Sequence, residues 1–147
     1  MARGLAVLLT ALAGGLVALQ APINSRLGKT VGTFPAASIS FVVGLIALVV
    51  IVFLTGQGFG KVGEVRHLPW WGLLGGVLGA AYVSTVLVTV RSLGAGGVTA
   101  ATIAGQLALA VVIDQFGLVG VTRHGVSAGR LAGVALLAAG VFLVVRG

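Results

Sequence analysis

Residues Val98–Phe116, which read VTAATIAGQLALAVVIDQF, form an apolar run long enough to cross a bilayer, and this run decides the fold class. The run carries Gln106 in its middle and Asp114 near its end. The chain has two acidic residues, and the other one, Glu64, falls in a polar loop. Because a charged side chain at the bilayer centre costs about 2.5–3.5 kcal/mol on insertion scales, Asp114 is a candidate functional residue.

The composition is typical of a protein embedded in lipid. Of the 147 residues, 59% are hydrophobic and 7% are charged, whereas a soluble domain has about 25% charged residues. We expect residues 1–147 to form a single transmembrane domain in contact with the lipid bilayer. Cysteine is absent, which excludes disulfides and cysteine-ligated metals. We therefore expect no cofactor and no metal site.

The net charge of +7 does not indicate a nucleic-acid partner. The basic residues are scattered singly between apolar runs, without a basic helix face or a pattern of stacking aromatic residues. In this arrangement they are expected to anchor helix ends at the bilayer surface and to influence topology.

Five apolar runs predict an all-α integral membrane helix bundle with five transmembrane helices and short loops. They are Leu5–Ala21, Phe34–Leu54, Trp70–Val90, Val98–Phe116 and Leu131–Val145. Open strands would leave backbone groups unpaired in lipid, and the alternating pattern of an outer-membrane barrel is missing. The fifth run is short unless residues 126–130 extend it. The N-terminus has features of a signal peptide, but its apolar run continues without a convincing cleavage site, so we expect it to be the first span.

Four short connections are predicted between these runs. They are Asn24–Thr33, the longer and more polar Gly56–Leu68, the glycine turn Arg91–Gly97, and Gly117–Gly129. The glycine turn is expected to fold the third and fourth spans into an antiparallel hairpin.

Small residues recur every fourth position in the third run. Gly72, Gly76 and Ala80 form one row, and Gly75 and Gly79 form a second. Such rows allow membrane helices to approach closely. They predict either packing inside the bundle or a dimer interface, and the sequence does not choose between the two.

The basic residues give almost no preferred orientation. With the N-terminus inside, five of the nine basic residues lie inside and four lie outside, although cytoplasmic loops normally hold a clear excess. Either another signal selects one orientation, or the chain inserts both ways and pairs antiparallel. An odd number of spans places the termini on opposite sides, so two copies would form an inverted-repeat transporter.

Four polar residues are candidates for a substrate path. Gln20 and Asn24 lie one helical turn apart next to Pro22, and they predict either a polar binding patch or a capped helix end. Gln106 is expected to serve as a substrate contact or as a hydrogen bond between helices. Asp114 lies near a helix C-terminus, where the macrodipole disfavours negative charge.

We therefore expect Asp114 to be protonated or to pair with a base, for which Arg123, Arg91 and Lys29 are the candidates. Its role is then either that of an ion pair holding the loop or that of a proton-coupling group. The sequence shows no catalytic constellation, so an enzyme is not expected.

Three stretches resemble the YdcZ-like branch of the drug/metabolite transporter superfamily. They are QAPINSRLGKTVG, PWWGLLGGVLGAAYV and AGQLALAVVIDQFG, at residues 20–32, 69–83 and 104–117. The resemblance covers essentially the whole chain and implies a small inner-membrane exporter, in a family with antiparallel homodimers, oppositely oriented pairs and fused repeats. It also implies a design similar to that of the small multidrug resistance proteins, which carry a glutamate in the first span. This chain has Gln20 there, which argues against proton-coupled cation export.

These observations predict a secondary transporter of the bacterial inner membrane, working as an antiparallel homodimer by alternating access. Gln20, Asn24, Gln106 and Asp114 would line or gate the path, and the glycine rows would let helices move past one another. The cargo is expected to be a small neutral or amphiphilic molecule. The alternatives are a small dual-topology ion channel and a non-transporting membrane assembly subunit.

Overall fold

The computed structural model describes residues 2–146, and helices dominate this part of the chain. The four α-helices are α1 (Arg3–Val31), α2 (Thr33–Leu54), α3 (Leu74–Phe116) and α4 (Ala128–Arg146). Short 3₁₀ helices lie at Val62–His67, Trp70–Leu73 and Leu118–Gly120. No residue between 2 and 146 is assigned to a strand, so the all-α prediction is confirmed for the described chain.

Four helices within residues 2–146 are long and apolar enough to cross a membrane. At 1.5 Å per residue, α2 is about 33 Å long and α4 about 28 Å long, close to the hydrocarbon thickness of about 30 Å. Their large apolar side chains are mostly exposed on the single chain, as expected for helices surrounded by lipid. The fifth predicted run lies in α4, which begins three residues earlier, at Ala128.

The connection predicted at Asn24–Thr33 is wrong, because α1 continues through Pro22 and ends only at Val31. Gly32 alone separates α1 from α2, with φ 94° and ψ 158°, a conformation that is essentially restricted to glycine. Its N–H donates to the carbonyl of Gly28 at 3.0 Å, and its carbonyl accepts the N–H of Ala36 at 3.0 Å. One residue therefore ends one helix and begins the next with its backbone groups paired.

The glycine turn predicted at Arg91–Gly97 is reduced to one residue. Gly94 has φ 67° and ψ 171°, and the residues on both sides of it are helical. The break divides α3 into residues 74–93 and 95–116, about 30 and 33 Å long, so each part is long enough to span a bilayer.

The described chain forms two compact units. The central unit comprises residues 20–88, and the terminal unit comprises residues 2–19 and 89–146. The expectation of a single transmembrane domain stays a prediction.

In the central unit, small residues bring α1, α2 and the first part of α3 together. Ala36 and Ala37 of α2 are buried with Val83 and Leu87 of α3, and the side chain of Leu87 is fully enclosed. Gly28 of α1 is also buried. Side chains this small allow membrane helices to approach closely, where dispersion contacts stabilise the packing.

In the terminal unit, α4 packs antiparallel to residues 95–116. Near one end, a Cβ built on Gly97 would lie 3.6 Å from Cγ2 of Val145. At the other end, Asp114 contacts Arg130. The early residues of one helix therefore meet the late residues of the other, and the Asp114 carboxylate is held at the N-terminal end of α4.

Candidate functional site

A buried hydrogen bond joins α1 to α2 in the central unit. The hydroxyl of Ser40 donates to Oδ1 of Asn24 at 3.0 Å, and Asn24 is only 6% exposed. The suggestion that Asn24 caps a helix end is wrong, because Asn24 lies inside α1. Since a buried acceptor left without a donor costs about 1–3 kcal/mol, this bond fixes α1 against α2.

A cavity of about 480 Å³ opens beside this bond. Its wall consists of one residue of α1 and six of α2, namely Gln20, Ser40, Phe41, Val42, Gly44, Leu45 and Leu48. The lining is mostly apolar, and Gln20 and Ser40 supply the polar groups. Sites for drug-sized ligands have volumes of roughly 300–1,000 Å³ and a similar mixture of many apolar and few polar groups. This cavity is therefore suited to an amphiphilic molecule.

The four predicted path residues are divided between the two units, two in each. Gln20 and Asn24 belong to the central unit, where Ser40 connects the cavity next to Gln20 with the buried amide of Asn24. Gln106 and Asp114 belong to the terminal unit. Gln106 is exposed on the single chain, near the middle of residues 95–116. Their assignment to a substrate path stays a prediction.

Asp114 forms an ion pair with Arg130. Nη2 of Arg130 lies 2.8 Å from Oδ2 of Asp114, and their side chains are 37% and 26% exposed, respectively. The expectation that Asp114 pairs with a base is confirmed, but the three candidate partners, Arg123, Arg91 and Lys29, were wrong. Arg130 lies in the first turn of α4, so the pair links the end of α3 to the start of α4.

The loop between α3 and α4 folds back onto the end of α3. The N–H of His124 donates to the carbonyl of Asp114 at 2.8 Å, and Nε of Arg123 donates to the carbonyl of Gln115 at 2.7 Å. The N–H of Val126 donates to the side-chain oxygen of Gln115 at 2.7 Å. Because the last carbonyls of a helix have no partner within it, these bonds complete the C-terminus of α3 and position the Asp114 carboxylate.

The first turn of α4 positions Arg130. Oγ of Ser127 accepts the N–H of Arg130 at 3.3 Å, as an N-cap residue does for the third helical position. Val119 in the same loop has φ 51° and ψ 28°, the left-handed region that β-branched residues rarely adopt. The loop thus holds local strain at Val119, a feature common near functional sites.

A second cavity, of about 200 Å³, lies against the ion pair. Leu107, Ala110, Val111 and Asp114 line it from one face of α3, and Arg130 and Gly133 line it from α4. Nη1 of Arg130 is buried and has no hydrogen-bond partner among residues 2–146. A buried donor in this state costs about 1–3 kcal/mol and calls for an explanation.

The members of the two glycine rows differ in their surroundings. A Cβ built on Gly79 would lie 3.5 Å from the ring of Phe41 in α2, so Gly79 packs inside the central unit. A Cβ on Gly75 or Gly76 would meet nothing within 4 Å, and Ala80 is exposed. Gly72 lies in the 3₁₀ helix and is close to Leu68.

Two residues of these sites were missed from the sequence. Ser40 lies within a long apolar run, and only its hydroxyl distinguishes it from its neighbours. Arg130 falls between the predicted connection, which ends at Gly129, and the predicted fifth run, which begins at Leu131, although the shortness of that run favours a helix that includes residues up to 130. No group of three or more His, Asp or Glu side chains that could hold a metal occurs within residues 2–146.

Comparisons with known proteins agree with this architecture. Residues 5–143 match the family described as "Putative inner membrane exporter, YdcZ". The chain is 31% identical over 134 residues to the inner membrane protein YdcZ of Escherichia coli (strain K12), covering 90% of this chain and 88% of that protein. No solved structure matches the chain. The chain is therefore a multi-pass inner membrane protein that belongs to the YdcZ family of exporters.

Proposed function

We propose that the chain is one half of a small-molecule exporter, and that two oppositely oriented copies form the transporter and work by alternating access. The observation that carries this proposal is the cavity of about 480 Å³ between Gln20 and α2. It combines an apolar wall with an exposed amide and a hydroxyl, and the family description is that of an exporter.

The break at Gly94 supports five spans. It divides α3 into two parts of membrane-spanning length, which with α1, α2 and α4 gives five. An odd number places the two termini on opposite sides of the membrane, and the basic residues then differ by one between the two sides. A bias this small favours insertion in both orientations, and two inverted copies have the symmetry of many secondary transporters.

Exposed positions on the membrane-spanning helices of the single chain support a dimer of two copies. Gln106 exposes an amide in the middle of an apolar helix, and such a group requires a hydrogen-bond partner in hydrocarbon. Gly75 and Gly76 have free space around them, which a helix of a second copy would fill. We assign these positions to the dimer contact and Gly79 to packing within one chain.

The test is transport by the purified protein in sealed vesicles. A thermal-shift screen against metabolites and lipophilic ions first identifies a ligand, and its flux is then measured for wild type, Gln20→Leu and Gln57→Leu. We expect saturable flux that Gln20→Leu lowers at least about tenfold, a free-energy change of about 1.4 kcal/mol. Gln57→Leu, in an exposed loop, should leave the flux unchanged.

Three results would contradict the proposal. Flux that does not saturate and needs no gradient of a second ion indicates a channel. No flux in any vesicle, together with dependence on a partner protein, indicates an assembly subunit. Equal flux for Gln20→Leu and wild type removes the cavity from the path.

A further inference from the structure

The Asp114–Arg130 pair leaves much of its hydrogen-bonding capacity unused. A guanidinium has five N–H donors in a planar fork, and a carboxylate accepts at about four lone-pair positions. The ion pair uses Nη2 of Arg130 and Oδ2 of Asp114. Nη1 of Arg130 is buried without a partner among residues 2–146, and the Arg130 side chain lines the cavity of about 200 Å³.

We propose that this cavity binds a small zwitterion, which places its carboxylate on Arg130, its ammonium on Asp114 and a short apolar side chain against α3. This inference goes beyond the proposed export function, because it assigns a ligand to the smaller cavity, which that proposal does not use. An α-amino acid with a small aliphatic side chain has this chemistry.

The charge of the site selects a zwitterion over a simple ion. Asp114 and Arg130 together carry no net charge, and the remaining wall consists of Leu107, Ala110, Val111 and Gly133. An anion or a cation alone would bring an uncompensated charge into apolar surroundings, which is costly in a membrane protein. A zwitterion meets each charge of the pair with the opposite charge and stays neutral as a whole.

The geometry of Arg130 favours a carboxylate as the anionic group. A planar guanidinium binds a planar carboxylate through two parallel N–H···O bonds. The Arg130 side chain is 37% exposed, so part of the guanidinium group is accessible to a ligand. The carboxylate of Asp114 would keep its contact with Nη2 and accept the ammonium with its remaining lone pairs.

The size of the cavity limits the ligand. Its volume of about 200 Å³ is below the range of roughly 300–1,000 Å³ typical of drug-sized ligands. A Cβ built on Gly133 would meet nothing within 4 Å, so there is space for a branched aliphatic group beside it. A long or charged side chain would have to lie against Leu107 and Val111.

The test measures equilibrium binding of L-valine to the full chain in vesicles of phosphatidylcholine and phosphatidylglycerol. Two analogues each lack one charge: 3-methylbutanoate has no ammonium, and 2-methylpropylamine has no carboxylate. We expect valine to bind and each analogue to bind at least about tenfold more weakly, since each leaves one charge of the pair without its counterpart.

Two glycine variants of α4 separate loss of the site from loss of the fold. Gly133→Leu fills the cavity while leaving Asp114 and Arg130 in place, and it should lower valine binding at least about tenfold. Gly140→Leu lies two turns further along the same helix, also with nothing within 4 Å of its built Cβ, and should bind like wild type. Arg130→Gln and Asp114→Asn should each abolish binding.

Several outcomes would overturn the inference. They are equal binding of valine and either analogue, no valine binding to wild type, or unchanged binding by Gly133→Leu. Displacement of valine when phosphatidylethanolamine is added would assign the site to a lipid headgroup instead of a free zwitterion. If valine binds but the vesicles transport nothing, the zwitterion site stands and the export proposal fails. If the vesicles transport a cargo but valine does not bind, export stands and this inference fails.

Discussion

The central and terminal units hold their polar groups in two different ways. In the central unit, Asn24 and Ser40 form a neutral hydrogen bond in a core of alanine and leucine, beside an open apolar cavity. In the terminal unit, Asp114 and Arg130 form a half-exposed ion pair beside a smaller cavity. The neutral bond fixes two helices at little electrostatic cost, whereas the ion pair retains donors and acceptors that a ligand can use.

The largest stability effect is expected from breaking the ion pair. Removing one partner of a buried pair costs roughly 3–5 kcal/mol, and partial exposure of this pair should reduce the cost of Arg130→Met to about 2–3 kcal/mol. The double variant Asp114→Leu/Arg130→Met should recover most of that loss, because it leaves no unpaired charge. Denaturant unfolding in detergent measures the free energy of unfolding of the single and the double variant. A double variant as unstable as the single one would show that the pair's charge is not what stabilises the end of α3.

A smaller loss of stability is expected from removing the neutral hydrogen bond between Ser40 and Asn24. Ser40→Ala leaves the buried Oδ1 of Asn24 without its donor and should lower the free energy of unfolding by about 1–2 kcal/mol. Ser38→Ala is the matched control, because the Ser38 hydroxyl bonds to the carbonyl of Phe34 in its own helix and is exposed. The free energy of unfolding of Ser38→Ala should stay within about 0.5 kcal/mol of the wild-type value. Equal losses for the two serines would mean that the bond to Asn24 contributes nothing specific.

The helices were predictable because apolar runs of membrane-spanning length have few alternatives in lipid. The helical stretch after Pro22 was not predictable, because Asn24, Ser25 and Lys29 are typical of a loop. In the structure, Leu27 of this stretch packs against the buried cluster that contains Ala36 and Ala37, which stabilises the helical conformation. A segment at a membrane surface can remain helical since this pairs its backbone groups internally.

The candidate sites were predictable in part. The pairing of Asp114 followed from its position at a helix end. Arg130 was not identified as its partner, because only the structure shows that the N-cap at Ser127 places Arg130 in the first turn of α4. Ser40 and the cavity beside Gln20 depend on the packing of α1 against α2, which leaves no local pattern in the sequence.

The proposed transporter depends on two copies in opposite orientations. The chain has no cysteine, and a Cβ built on Gly60, in the loop between α2 and α3, meets nothing within 4 Å. Gly60→Cys therefore provides a single label in sealed membrane vesicles. With an impermeant maleimide added to one side and then to both, we expect about half of the chains to be labelled from each side, as a near-zero charge bias predicts. Labelling of all chains from the same side would contradict the antiparallel pair.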